Sequence, residues 1–157
     1  MSKPLRILTI DNKKDEEVLR TPSKDVALEE IGSTDFEVFL EKLLLTAKLS
    51  EEPAGGIAAP QVGVNKNIFF LLNYDTNEWE VFINPEVESV GFVKTSIEES
   101  CLSVPNVEAE VQRYKNIRIK YLDRDGKKYT RKYKDLNAVT IQHEKDHLDG
   151  ILFIDRI

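Results

Sequence analysis

The stretch Asp135-Leu136-Asn137-Ala138-Val139-Thr140-Ile141-Gln142-His143-Glu144-Lys145-Asp146-His147-Leu148-Asp149-Gly150 decides the reading of this chain. Asp135 is an N-cap residue type, the run 136–149 suits a helix, and Gly150 stands where a C-terminal cap favours glycine. Residues four apart on a helix share a face one turn apart. His143 and His147 can therefore present two imidazole nitrogens to one metal ion at about 2.0–2.1 Å. Glu144 projects beside them, placed to take a proton from water and return it to a leaving group. Without a metal, the same spacing is an ordinary partly buried histidine pair. These are the only two histidines in the chain, and both fall inside the motif.

A tetrahedral catalytic ion with one open position needs a third protein ligand. Metzincin proteases take it from a histidine six residues after the second one, where this chain has Phe153. Thermolysin-like proteases take it from a later glutamate, and no glutamate follows His147. Asp149 adjoins the helix end and Asp155 follows the apolar run 151–154, which leaves both as formal candidates only. Cys101, the single cysteine, offers a soft thiolate ligand; alternatively it is a small buried hydrophobe.

Outward from this helix, Phe36, Phe39, Leu40, Leu43, Leu44 and Ala47 follow helical spacing behind a Thr34-x-x-Glu37 capping box, predicting an N-terminal amphipathic helix. It ends near Glu51–Gly55, where Pro53 and the Gly55-Gly56 pair break helix propensity. The apolar runs 67–72 and 79–83, joined by Asn73-Tyr74-Asp75-Thr76-Asn77, predict one hairpin. A second joins Ile117, Ile119 and Tyr121 to Tyr129, Arg131 and Tyr133 through Asp125-Gly126. The order strand, helix, several antiparallel strands, helix predicts an α+β fold: antiparallel β-strands packed around a central C-terminal helix bearing the His-Glu-x-x-His motif.

At 157 residues, with 41% apolar and 32% charged side chains, residues 1–157 are expected to form one domain. A net charge of −6 argues against a nucleic-acid partner, and the basic residues at 113–134 alternate with tyrosines as on a solvated strand face. A peptide or small molecule fits better. A lone cysteine excludes an intramolecular disulfide and suits a reducing cytoplasm; an organelle fits if a transit peptide has been removed. No stretch approaches the roughly 18 apolar residues of a membrane span.

Three segments together carry a resemblance. Gly55-Gly56-Ile57-Ala58-Ala59-Pro60-Gln61-Val62-Gly63 is similar to the Gly-x-Gly-φ-Ala-Ala-x-Gln motif of peptide deformylases, Glu98-Glu99-Ser100-Cys101-Leu102-Ser103-Val104-Pro105 to their Glu-Gly-Cys-Leu-Ser segment, and the helix to their third motif. They occur in family order across residues 54–150. The chain departs twice: Ala54 and Ser100 stand where the family has glycine. Its C-terminus resembles the short versions in some phages, which lack a further helix.

The resemblance implies a metal-dependent hydrolase that removes the formyl group from N-terminal formylmethionine of nascent polypeptides and releases formate. It implies one divalent ion per chain on Cys101, His143 and His147, with ferrous iron the physiological ion and zinc or nickel found in preparations. Glu144 is implied as general base and acid, and the Gln61 side-chain amide and Leu102 backbone N–H as oxyanion donors. Substrate contacts are implied at Gly55, Gly56, Ile57, Ile97, Glu99, Ser100, Arg113, Leu136, Val139 and Thr140. Partners are formyl-methionyl nascent peptides, met transiently at the ribosome exit, with no nucleic acid and no membrane, in a bacterial or phage-infected cytoplasm. Two other readings stand beside it: an endopeptidase built on the same helix motif, and a non-catalytic binder of formylated N-termini, against which the retained Glu144 argues.

Overall fold

The computed structural model describes residues 3–157. Its helices are α1 (Lys13–Leu19), α2 (Thr34–Lys48) and α3 (Asp135–Leu148). Its strands are β1 (Gly56–Ala58), β2 (Ile68–Leu72), β3 (Trp79–Ser89), β4 (Lys94–Cys101), β5 (Val104–Tyr114), β6 (Asn116–Leu122) and β7 (Lys128–Lys134). The fold is α+β, with every strand pair antiparallel: a five-stranded sheet in the order β1-β2-β3-β6-β7 and a separate β4-β5 ribbon.

β2 shows how sequence builds these layers. All five of its residues are apolar because both faces of the sheet are covered. Side chains alternate across a strand, so Ile68 and Phe70 join the α2 layer with Leu40 and Leu43, while Phe69 and Leu71 join the α3 layer with Ala138 and Ile141. The sheet thus lies between two helices, and α3 is pinned on its inner face. Fully burying each such side chain contributes about 1.5–3 kcal/mol.

Both expected hairpins form, with Leu72 opposite Trp79 and Tyr121 opposite Tyr129. Details differ from the sequence reading. Ser33, not Thr34, caps α2, because its hydroxyl accepts from the Phe36 N–H and places Thr34 inside the first turn. Asp135 is the first residue of α3 at φ +55°, after an uncapped Lys134. The expected leading strand is absent: residues 3–9 are irregular, yet Leu8 N–H donates to the Gln61 carbonyl and Ile10 N–H to the Ser103 carbonyl. The N-terminal segment thereby ties the first two motifs together. After α3, Gly150 takes the left-handed conformation (φ +76°) that ends a helix. A short 3-10 turn, Phe153–Arg156, then packs on the β4-β5 ribbon through Phe153. No helix among the described residues is long and apolar enough to cross a membrane.

Candidate metal centre

α3 brings His143 and His147 to the same face as expected, and the turn between β4 and β5 brings Cys101 to meet them. One donor atom from each of Cys101, His143 and His147 lies within 4.8 Å of the other two. Cys101 Sγ stands 3.3 Å from His147 Nε2. Bonds of about 2.0–2.3 Å to one tetrahedral ion place donors roughly 3.4–3.6 Å apart, so this spacing suits a shared ion.

The surroundings favour a cation. His143 Nδ1 is held 2.8 Å from Glu99 Oε1, which leaves Nε2 as the free ring nitrogen. Burial opposes a charged ring at His143, yet hydrogen bonds to Cys101 and Glu99 raise its pKa well above the ordinary value. The same neighbours favour positive charge at this spot, and a metal ion binding there would take the proton's place. His147 is held well below its ordinary pKa by burial, with His143 and Arg113 adding, which keeps it neutral as a ligand must be.

Glu144 is 4% exposed, and its Oε1 makes no hydrogen bond to any described residue. Burial pushes its carboxyl up to about 7; His143 opposes that shift and Glu99 reinforces it. A carboxyl with that pKa both takes and gives a proton near neutrality. Gln61 is fixed by the Ala58 N–H, which donates to Oε1 at 3.0 Å. Its Nε2 therefore faces Ser103 Oγ (3.2 Å) and Cys101 Sγ (3.6 Å). An amide donor is thus aimed at the cluster.

A cavity of about 190 Å³ opens beside these groups. It is lined by Gly55, Gly56, Ile97, Glu99, Ser100, Leu136, Val139, Thr140 and the His143 ring, together with Gln61, Cys101, Leu102 and Glu144. Two residues expected there lie elsewhere. Ile57 is fully buried under α2, its place on β1 turning it to the other face of the sheet. Arg113 sits behind the site, 4% exposed, with its guanidinium donating twice to Glu99 at 2.9 Å and once to Asp146 at 2.6 Å. It therefore steadies the carboxylate that orients His143 instead of facing the cavity.

The formal protease ligands are engaged elsewhere: Asp149 pairs with Lys145, and Asp155 with Arg20 and the Leu152 N–H. Phe153 stacks on the His143 ring, with centroids 6.0 Å apart. Sequence reasoning missed Asp146, whose carboxylate bridges Arg113 and Arg156, and Tyr74, Glu52 and Glu98 on the cavity wall. Asp146 lay inside the quoted motif and could have been suspected as an acid on its buried face; Tyr74 gave no signal beyond being an aromatic in a turn.

A family model described as polypeptide deformylase matches residues 4–157. The chain is 39% identical over 142 residues to a peptide deformylase of Fusobacterium nucleatum, covering 90% of this chain and 79% of that one. It is 41% identical over 138 residues to peptide deformylase 1 of Pseudomonas syringae pv. tomato, covering 87% and 79%. Among solved structures, it resembles a class I type b peptide deformylase from Acinetobacter baumannii with Met-Ala-Ser bound (TM-score 0.90, 29% identity, 100% of each chain). It also resembles peptide deformylase from Thermotoga maritima (TM-score 0.87, 31% identity, 99% and 98%).

Proposed function

Since the chain belongs to the peptide deformylase family and is thus a metal-dependent hydrolase that removes the formyl group from N-terminal formylmethionine, we propose that Cys101, His143 and His147 hold its metal and that Glu144 moves its protons. The observation that carries this is the meeting of one sulfur and two imidazole nitrogens within 4.8 Å beside a buried carboxylate. When bound, the divalent ion supplies Lewis acidity, polarising a carbonyl and making water easier to deprotonate.

Glu144 takes a proton from the attacking water, whose oxygen adds to the formyl carbon. The Gln61 Nε2–H and the Leu102 backbone N–H receive the negative charge that develops on the formyl oxygen; losing one such donor typically costs a hundredfold or more. Glu144 then returns its proton to the amine nitrogen as the C–N bond breaks, leaving formate and a free N-terminus. The peptide runs extended past Gly56 and Ser100, bound mainly through main-chain groups, so many sequences are tolerated after the first residue. Its first side chain enters the cavity between Ile97, Leu136, Val139 and Thr140. Residues 1–157 act as one catalytic domain.

The sulfur and nitrogen donor set accepts ferrous iron or zinc. We assign ferrous iron as the working ion, with zinc or nickel able to replace it. The enzyme meets nascent chains transiently at the ribosome exit in a cytoplasm, a setting supported by the reduced state that Cys101 needs as a ligand. The test is anaerobic formate release from a formyl-methionyl peptide by the iron-reconstituted protein and by Glu144→Ala. Release by the first and none by the second is expected; none from the loaded wild type overturns the reading.

A further inference from the structure

Tyr74 stands in the turn between β2 and β3, half-exposed, on the wall of the catalytic cavity. A β-carbon on Gly55 would lie 2.8 Å from the Tyr74 hydroxyl oxygen and 3.8 Å from the Thr140 methyl. The phenol end, the Thr140 methyl and the bare Gly55 therefore converge at one place on that wall. The Tyr74 hydroxyl makes no hydrogen bond to any other described residue, so its position is set by the backbone beneath it.

That backbone is tied to the helix carrying the metal ligands. Tyr74 N–H donates to Asn137 Oδ1 at 2.9 Å, and Asn137 Nδ2 donates to Asn73 Oδ1 at 3.1 Å. Asn73 Oδ1 also accepts from the Asp75 and Thr76 N–H groups, and Asn73 Nδ2 donates to Glu80 at 2.6 Å. Both asparagines are buried. Asn137 lies one turn before Thr140 and two before Glu144 on α3, so these hydrogen bonds fasten the turn to the helix that bears the site. A tyrosine ring has only two side-chain torsions, and on a tethered backbone it makes a stiff wall.

From this convergence we propose that Tyr74 is a specificity-determining residue whose ring limits the length of the first substrate side chain, with Asn137 as the positioning residue that holds it. The proposal rests on the deformylase reading of the cavity. Gly55 is part of the device, because a side chain there would displace the ring.

The test compares formyl-methionyl-Ala-Ser with formyl-ethionyl-Ala-Ser, one methylene longer, in anaerobic formate release by iron-loaded wild type, Tyr74→Phe, Tyr74→Ala and Asn137→Ala. Calorimetric binding of the two unformylated peptides supplies a second readout. One methylene in an apolar pocket is worth about 10–200-fold in kcat/KM. Tyr74→Ala is expected to raise the ethionyl-to-methionyl ratio of kcat/KM at least about 10-fold, chiefly through KM. Tyr74→Phe, which removes only the hydroxyl nearest Gly55, shifts the ratio less than Tyr74→Ala does, and Asn137→Ala shifts it in the same direction. A ratio unchanged in Tyr74→Ala, or an equal loss for both substrates, overturns the proposal. Wild type that releases no formate but still binds and discriminates the two peptides overturns the deformylase reading alone, and a binding ratio unchanged in Tyr74→Ala then overturns the role of Tyr74.

Discussion

Gly56 and Glu144 share one space: a β-carbon on Gly56 would lie 2.8 Å from Glu144 Oε2 and 2.8 Å from the Phe70 carbonyl oxygen. The glycine of β1 is what lets the carboxylate of α3 reach the cluster. Gly56→Ala must either push Glu144 aside or open the β1-β2 pairing. The expected result is a loss of about a hundredfold in kcat, the scale of a misplaced catalytic group, with metal content unchanged. Formate kinetics and metal analysis on the purified variant check it. Near-wild-type kcat would show that Glu144 does not need this position.

Glu144 also links protonation to stability once the metal is removed by chelation. Its carboxyl is pushed up to about 7 in the fold, from an ordinary value of 4.5, mainly by burial. A folded-state pKa above the unfolded one means the folded protein holds the proton more tightly. The associated stability is present below about pH 4.5 and is lost as pH rises to 7. Glu144→Gln removes this dependence. Chelated Glu144→Gln should therefore exceed chelated wild type in stability at pH 8 by roughly 3–4 kcal/mol at most, with a smaller gap at pH 5. Denaturant melts at the two pH values measure it, and equal gaps would refute it.

Arg113 joins two buried carboxylates, at 2.9 Å to Glu99 and 2.6 Å to Asp146. Burial pushes the Glu99 carboxyl up, but Arg113 and His143 more than offset this and hold it below the usual value. Arg113→Met leaves both carboxylates without that guanidinium, a loss of about 3–5 kcal/mol. Because Glu99 orients His143, metal affinity should fall about 10–100-fold. Arg113→Lys keeps the charge without the fork and should fall between. Thermal melts and chelator competition separate the two effects. Unchanged metal affinity in a folded Arg113→Met would detach Arg113 from the site.

These cases show what could be read from sequence. α2 and the second hairpin were legible because their apolar residues repeat with one clear period, as at Phe36, Leu40 and Leu43 or Ile117 and Ile119; the first hairpin showed as apolar runs around turn formers, and α3 through its end residues and histidine spacing. The β4-β5 ribbon was not. In β4, Glu98, Glu99 and Ser100 hide the strand, and few of its side chains are buried. The metal ligands were legible because their chemistry is rare: two histidines and one cysteine in the whole chain. Arg113 read equally well as a surface cation, since nothing local reveals that two acids from different elements close around it. Tyr74 reaches the cavity only through the β2-β3 turn and Asn137, a tertiary arrangement with no sequence period.

Ser100 and Ala54 replace glycines of the family motifs, and the structure says how much those glycines are needed here. Neither residue has positive φ. Ser100 sits within the register shift between Glu99 and Cys101 of β4, and is exposed, bordering the cavity. A serine thus adopts this backbone without strain, and its side chain has solvent to occupy. Ser100→Gly should leave kcat/KM for a formyl-methionyl peptide within about threefold of wild type, as for other unstrained exposed substitutions. It should also lower stability by about 0.5–1 kcal/mol, the entropic cost of glycine in a strand. Formate kinetics beside a denaturant melt test both parts. A gain of tenfold or more in kcat/KM would mean that the Ser100 side chain obstructs the peptide, and that substrate passes closer to β4 than its exposed position implies.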